Sequence, residues 1–194
     1  LDAPWDHPAW AGAQMANVDR FHHQSSDHRP VTHVRLLHDD RGISVHFHVA
    51  DRYVRAVATE HQSPVCLDSC VEFFVEPKPG AGYFNIEVNC IGTILMRHVT
   101  DPRRIEGGGL AKAEPVPPEL LRTIPVFHTL QGSIVEEIAD PVEWRVAYHI
   151  PFSLFERFVG PIGSPAGSVW RGNFYKCAHR SSHPHWASRA PNGP

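Results

Sequence analysis

Strict alternation of apolar and polar side chains between residues 68 and 93 constrains this chain more than any other feature. Two alternating runs, residues 71–76 and 84–90, flank a connection rich in proline and glycine at residues 77–82. Side chains two positions apart in a β-strand share a face. The stretch therefore predicts a β-hairpin with one apolar face and one polar face.

The polar face of this hairpin carries an unusual set of groups. A plain solvated face would carry lysine, threonine and serine, whereas this one carries carboxylates and amides. These residues are Glu72, Glu76, Asn85, Glu87 and Asn89. Such a face indicates a ligand site, and we interpret the rest of the chain as the scaffold that holds it.

Further alternating runs predict an all-β fold. They cover residues 31–37, 43–49, 142–150 and 169–177, with turn residues between them. No segment keeps a helical period over three turns, and we expect one short helix at residues 152–158. Many short strands separated by turn signals favour an antiparallel β-sandwich or jelly roll. We expect a single such domain over residues 1–194, with a long loop at residues 101–118 and an irregular tail from residue 179.

Composition narrows the class of partner. The formal net charge of -3 argues against a nucleic acid or an anionic membrane surface held by bulk charge. No apolar run reaches the length of a membrane span.

Four cysteines among 194 residues do not make a disulfide scaffold, and Cys90 is expected to be a small buried hydrophobe. The fifteen histidines are scattered without the spacing of metal ligands.

Glu72 and Glu87 occupy the same kind of face on two strands that we expect to be neighbours. Directly opposed residues in an antiparallel pair have Cβ atoms about 4.5–5.5 Å apart. Two carboxylates at that range can hold a cation, bind the hydroxyl groups of a sugar, or form the catalytic pair of a retaining glycosidase. The alternative is a salt-bridged face shared with Arg97, Arg145 or Arg171. The sequence favours ligand binding.

Strand asparagines and aromatic residues point to a neutral ligand with many hydroxyl groups. Asn85, Asn89 and Asn173 lie in predicted strands, where asparagine is disfavoured. An amide supplies both a donor and an acceptor, which suits sugar hydroxyls, although a structural amide at a bulge has the same signature. Tyr175 and Trp186 lie in segments of exposed aromatic character, and aromatic faces stack on the C–H surfaces of sugars.

Five motifs, taken in order, resemble the family 9-like carbohydrate-binding modules of the wider DOMON-like superfamily. They are DSCVEFF from Asp68, YFNIEVNCIGT from Tyr83, the strand from Trp144 to Phe152, GNFYKC from Gly172 and HPHWAS from His183. The resemblance spans about residues 5 to 188. It implies a β-sandwich whose concave face binds saccharides, often with bound calcium, commonly as an accessory to glycoside hydrolases. It also favours an extracellular or periplasmic location.

Carried over by motif, the resemblance assigns the acidic binding residue to Glu72 and the binding-strand amide to Asn173. Family members that grip sugar ends clamp them between two aromatic rings, one of which shortly precedes the acidic motif. This chain has Ser-Pro-Val-Cys at residues 63–66 instead. Trp186 or Tyr175 would therefore have to supply one ring.

Two cofactors are considered as well. Asp39, Asp40 and Asp51 bracket the first predicted hairpin, and carboxylates suit calcium. A solvated turn would explain the same residues. Related haem-binding domains use methionine with histidine or lysine as axial ligands, and Met96 with Lys176 offers such a pair.

The sequence as a whole predicts non-catalytic carbohydrate binding at one polar face, with a saccharide as ligand and a glycoside hydrolase as partner. Two other classes stay open. One is a glycoside hydrolase that uses Glu72 and Glu87, and the other is a haem-binding electron carrier that uses Met96 and Lys176. The predicted ligand-binding residues are Glu72, Asn85, Glu87, Asn89, Asn173, Tyr175 and Trp186.

Overall fold

Antiparallel strands are the main regular elements of the computed structural model, which describes residues 2–191. The strands are β1 (Ala16–Asn17), β2 (Arg20–Phe21), β3 (Val31–His38), β4 (Gly42–Asp51), β5 (Val54–Ala56), β6 (Cys70–Glu76), β7 (Tyr83–Asn89), β8 (Ile94–Arg104), β9 (Leu110–Pro115), β10 (Val126–His128), β11 (Ile134–Ile138), β12 (Val142–Pro151), β13 (Arg171–Ala178) and β14 (His185–Ser188). The helices are α1 (Pro118–Leu121) and α2 (Phe152–Val159), with 3-10 turns at Pro8–Trp10 and Val65–Leu67.

Two large sheets pack face to face. One has five strands in the order β1-β3-β4-β12-β10, and the other has seven in the order β2-β14-β13-β6-β7-β8-β9. β5 and β11 form a separate two-stranded sheet. Rings from the two inner faces meet in the core, where Phe47 of β4 and Phe174 of β13 have centroids 5.9 Å apart. The predicted β-sandwich is therefore confirmed.

The core contains the residues that alternation predicts. Each of these side chains is no more than 3% exposed, because successive strand residues point to opposite faces and this set points inward. They are Val71, Phe73, Phe84, Ile86, Val88, Trp144 and Val146. The same alternation directs the intervening residues of β6 and β7 to the outer face.

β6 and β7 form the predicted hairpin, and their register pairs Glu72 with Glu87. The connection between them requires glycine at Gly82. Its φ is 87°, a conformation that L side chains rarely adopt. A Cβ atom there would also lie 2.4 Å from the Val99 carbonyl oxygen. The connection can therefore approach β8 this closely only because residue 82 has no side chain.

Two segments that the sequence predicts to be irregular are instead strands. Within the predicted loop at residues 101–118, β8 continues to Arg104 and β9 returns through a turn whose three glycines have positive φ. In the predicted irregular tail, β14 pairs with β13. β9 and β14 are only six and four residues long, too short to show the alternation that reveals the longer strands. Among the described residues no helix is long and apolar enough to cross a membrane.

Candidate functional site

A groove runs across the outer face of the seven-stranded sheet, on the side away from the core. Its volume is about 780 Å³, and side chains from β2, β14, β13, β6, β7, β8 and β9 contribute to its wall. The groove therefore lies on the face that the polar residues of the β6–β7 hairpin occupy.

Strand register aligns the central groove residues in a row that crosses the sheet. Ser188 pairs with Tyr175, Tyr175 with Glu72, and Glu72 with Glu87. Adjacent strands lie about 4.8 Å apart. The register thus places two carboxyl groups and a phenol side by side on one face.

A second row lies two residues along the strands. It runs from Asn173 through Phe74 and Asn85 to Arg97. On the opposite side of the central row, Trp186 pairs with Cys177 at the rim. All the predicted contacts except Asn89 therefore line the groove or border it.

Glu72 and Glu87 both hold their protons more tightly than ordinary carboxyl groups. Burial and the facing Glu87 carboxylate raise the pKa of Glu72 to about 8, although a hydrogen bond from the Cys177 thiol to Oε1 at 3.1 Å partly offsets this. Burial also raises the pKa of Glu87, against the opposing effects of the Asn85 amide and the Arg97 charge. At neutral pH the pair therefore retains a proton, so it can donate a hydrogen bond as well as accept one.

Two acceptor atoms beside the groove have no hydrogen-bond partner among the described residues. They are Asn85 Oδ1 and Glu87 Oε2. Asn85 Nδ2 donates to Glu87 Oε1 at 3.0 Å, which fixes both side chains. Both free acceptors are shielded from solvent and are therefore unsatisfied. A hydroxyl donor that reaches them would supply the missing hydrogen bonds.

Buried thiols adjoin the carboxyl pair. The sulfur atoms of Cys70 and Cys177 and a carboxyl oxygen of Glu72 all lie within 4.8 Å of one another, a spacing that could hold a metal ion. The thiols hold their protons, however. Burial raises the pKa of Cys70 to about 11 and that of neighbouring Cys66 to about 12. In this structure they are weak hydrogen-bond donors to the groove floor.

Aromatic rings frame the groove on both sides of the central row. Tyr175 and Phe74 have ring centroids 4.7 Å apart, and Phe74 stacks on Tyr83 at 5.7 Å. Across the row, Trp186 lies edge-on to His179 at 5.1 Å. These rings are only partly buried, so their faces and edges are available to a ligand.

The structure corrects the prediction that Asn89 contacts the ligand. Asn89 is fully buried, and its Nδ2 group donates to the Ala58 carbonyl and to Asp68. Its Oδ1 atom accepts from the backbone N–H of Thr93 at 2.8 Å. The amide is therefore occupied in fixing the turn that follows β7.

Asn173 shares the groove face with Glu72 and Tyr175, but its amide is also engaged. Nδ2 donates to the Tyr175 hydroxyl oxygen and to the Ala190 carbonyl, both at 3.1 Å. Oδ1 accepts from the backbone N–H of Ala190 at 3.0 Å. Asn173 therefore orients the Tyr175 hydroxyl and anchors the chain beyond β14.

The three aspartates predicted to hold calcium do not come together. Asp39 and Asp40 lie in the turn before β4, whereas Asp51 ends that strand, about 30 Å away for an extended segment of this length. Asp39 Oδ1 accepts from the backbone N–H groups of Arg41 and Gly42. These aspartates therefore cannot share one ion, and this prediction is corrected.

Met96 and Lys176 do not form the alternative haem site. Both side chains are fully buried on the inner face of the seven-stranded sheet, where β6 and β7 separate their strands. The Lys176 ammonium group is paired with Asp51 at 3.2 Å. The two side chains therefore do not converge on a common iron position.

A smaller cavity opens at one end of the sandwich. Its volume is about 320 Å³, and its wall is mostly apolar, with Phe73, Phe152, Trp170 and Phe174 among the contributors. No carboxylate or amide side chain is among the described residues that line it. This cavity therefore lacks the carboxyl and amide groups that line the groove.

Comparison with known families identifies the family to which this chain belongs. The family model of carbohydrate-binding family 9 matches residues 9–192. The chain belongs to carbohydrate-binding family 9. Carbohydrate binding is the function that goes with this membership, and the resemblance drawn from the five motifs is confirmed. The wider placement among DOMON-like domains stays a prediction.

Solved structures share the fold of this family 9 domain. A Bacteroides uniformis protein assigned to carbohydrate binding is 31% identical, with a TM-score of 0.81, over 95% of this chain and 80% of that one. A family 9 module from Caldicellulosiruptor kristjanssonii is similar in its cellotriose complex (12% identity) and its glucose complex (13%). Both give a TM-score of 0.55 over 94% of this chain, and the match covers 75% and 77% of those chains. No curated protein matches the sequence.

Several aromatic and arginine residues on the groove wall were absent from the predicted ligand contacts. Phe74 and Tyr83 alternate in phase with the predicted contacts, so the periodicity could have included them. Arg97 was considered only as a salt-bridge partner. Arg104 lies in the segment predicted to be a loop, and no sequence signal connects Arg104 or Arg20 to the site.

Proposed function

We propose that this family 9 domain binds a saccharide in the groove of the seven-stranded sheet and does not cleave it. The observation that carries the proposal is the directly opposed pair Glu72 and Glu87, which retains a proton and lies on an accessible face between aromatic rings. Sugar hydroxyls need donors and acceptors in the same place, and this pair supplies both.

Other groups in the groove add hydrogen-bond acceptors and ring surfaces that suit a saccharide. Asn85 Oδ1 and Glu87 Oε2 are acceptors that the protein leaves unpaired, so two ligand hydroxyls would satisfy them. Because both atoms are shielded from solvent, the side chains above them must shift when the ligand enters. Trp186 and Tyr175 offer ring surface for the C–H faces of the sugar. The groove is open, so we expect modest affinity, since the ligand must lose water and conformational freedom.

Catalysis by the same carboxyl groups is the weaker candidate. A retaining glycosidase needs one ionised carboxylate as nucleophile. Burial raises the pKa of both Glu72 and Glu87 and so works against an ionised nucleophile, whereas hydrogen bonding to sugar hydroxyls needs no ionised group. We expect no release of nitrophenol from aryl glycosides. Turnover that disappears in Glu72→Gln would establish an enzyme in place of a binding domain.

The proposal includes a glycoside hydrolase as partner. A binding domain raises the local concentration of an attached enzyme on its polysaccharide. A hydrolase fused to this domain should lose rate on an insoluble substrate when Trp186 is replaced by alanine, and it should keep its rate on a soluble one. Equal rates on the insoluble substrate would argue against an accessory role.

Calorimetric titration with a panel of oligosaccharides tests the proposed site. Trp186→Ala should weaken binding of whichever sugar the wild type binds. Tyr53→Ala is the matched control, because Tyr53 is a partly buried ring that stacks on His183 outside the groove. Equal affinities for wild type and Trp186→Ala would place the sugar elsewhere on the domain.

A further inference from the structure

Three arginines on the groove wall form no ion pair with a carboxylate of the described residues. Arg20, Arg97 and Arg104 line the groove with exposed side chains. Within residues 2–191, none of the three forms an ion pair. By contrast, neighbouring Arg103 is paired with Asp101 at 2.5 Å. The three groove guanidinium groups are therefore free to bind a ligand.

The groove carries positive charge although the whole chain has a formal net charge of -3. The opposing charges are those of Glu72 and Glu87, and burial favours the neutral form of each. Partial burial of the ring lowers the pKa of His179, which favours its neutral form. The Lys176 ammonium lies on the inner face, paired with Asp51. The arginines therefore dominate the electrostatic potential of the groove.

These arginines lie at opposite ends of the groove. Arg20 is on β2, whereas Arg97 and Arg104 are on β8, five strand spacings away in the sheet order. At about 4.8 Å per spacing, the two ends are about 24 Å apart. The carboxyl pair and the aromatic rings lie between them. A single charged sugar cannot reach both ends, whereas a chain with several charges can.

Resting on the proposed carbohydrate site, we infer that the ligand is an acidic oligosaccharide whose ring carboxylates pair with the arginines at both ends. A guanidinium group presents a planar fork of donors that fits a carboxylate in two parallel hydrogen bonds. The carboxyl pair and the rings then bind hydroxyls and C–H faces between the charges. The strand asparagines and aromatic residues indicate a neutral ligand instead. The charge of the groove is not visible in the sequence, because the sequence does not show which arginines share the groove.

Paired ligands test the inference. Hexameric oligogalacturonate and oligoglucuronate are compared with their methyl esters, which keep the rings and remove the charge. We expect the acids to bind at least about tenfold more tightly at about 50 mM salt, and the advantage to shrink at about 500 mM. Equal binding of acid and ester would overturn the inference and leave the proposed function standing. Binding of a sulfated oligosaccharide in preference to both acids would overturn the carboxylate assignment.

Substitution of single arginines tests which of these charges contributes to binding of the acidic oligosaccharide. Arg97→Gln and Arg104→Gln should each weaken binding of the acid about tenfold and weaken binding of the ester by much less. Arg157→Gln, at an exposed position of α2 outside the groove, should change neither. Equal affinity for the acid in all three variants would overturn the inference. Binding of neither acids, esters nor any neutral sugar would overturn the proposed function as well.

Discussion

Lys176 and Asp51 form an ion pair between the two large sheets, with Nζ 3.2 Å from Oδ2 and neither side chain exposed. Trp144 Nε1 donates to the same carboxylate at 3.2 Å, and His28 Nε2 lies 2.8 Å from its other oxygen. His185 Nε2 lies 2.8 Å from the Lys176 ammonium. The network joins β13 of one large sheet to β4 of the other.

Lys176→Met should therefore destabilise the fold strongly. The substitution leaves the Asp51 charge buried without its cation, which typically costs about 3–5 kcal/mol in the free energy of unfolding. Urea denaturation at neutral pH measures the loss. Lys112→Met is the control, because Lys112 is exposed on β9 and its replacement should cost less than about 0.5 kcal/mol. Similar small losses for both variants would contradict the buried pair.

Glu72→Gln should reduce the loss of stability that accompanies a rise in pH. The pKa of Glu72 is raised in the fold from 4.5 to about 8, so the folded state keeps a proton that the unfolded chain releases. The stability that this group contributes is complete below its unfolded pKa and is lost as the pH rises through its folded pKa. Glutamine keeps the shape without the charge.

The melting temperature of Glu72→Gln should therefore rise relative to that of the wild type between about pH 5 and about pH 9. Groups that do not contact Glu72, such as His46 and His185, titrate in both proteins and cancel in the comparison. Thermal melts at matched ionic strength measure the difference. A difference that stays constant over this range would show that the pKa of Glu72 is not raised.

Asn89→Ala and Asn85→Ala should distinguish a structural amide from a ligand amide. Without Asn89, the backbone N–H of Thr93 loses its buried acceptor, which should cost about 1–3 kcal/mol of stability. Saccharide affinity should stay unchanged in that variant. Asn85→Ala should cost less stability, because one amide atom is already unpaired, and it should weaken binding. Denaturation and titration of both variants measure these effects, and the reverse pattern would contradict the assignment.

Alternation predicted both faces of the central hairpin, because a strand separates successive side chains by geometry alone. It placed Val71 in the core, and it placed Glu72 and Glu87 on a common outer face. Their direct opposition was not predictable, because register depends on the length and conformation of the connection. Here a six-residue connection, residues 77–82, joins the two strands in the register that pairs Glu72 with Glu87.

The incorrect predictions involve partners that are distant in sequence. Asn89 alternates in phase with the groove residues. At the end of β7, however, its side chain is hydrogen-bonded to Asp68 and to the backbone of Thr93. Asp51 has the sequence context of a turn carboxylate, yet its partner is Lys176 on the other sheet. Local periodicity contains no information about such contacts, so only the assembled sandwich reveals them.

A crystal structure of the domain with a bound oligosaccharide tests the central claim most directly. We predict sugar density across β14, β13, β6 and β7, with hydroxyl groups within hydrogen-bond distance of Glu72 and Glu87 and one sugar face against Trp186 or Tyr175. Sugar density in the apolar cavity beside Trp170, or at any other surface with the groove left empty, would contradict the assignment of the groove as the binding site.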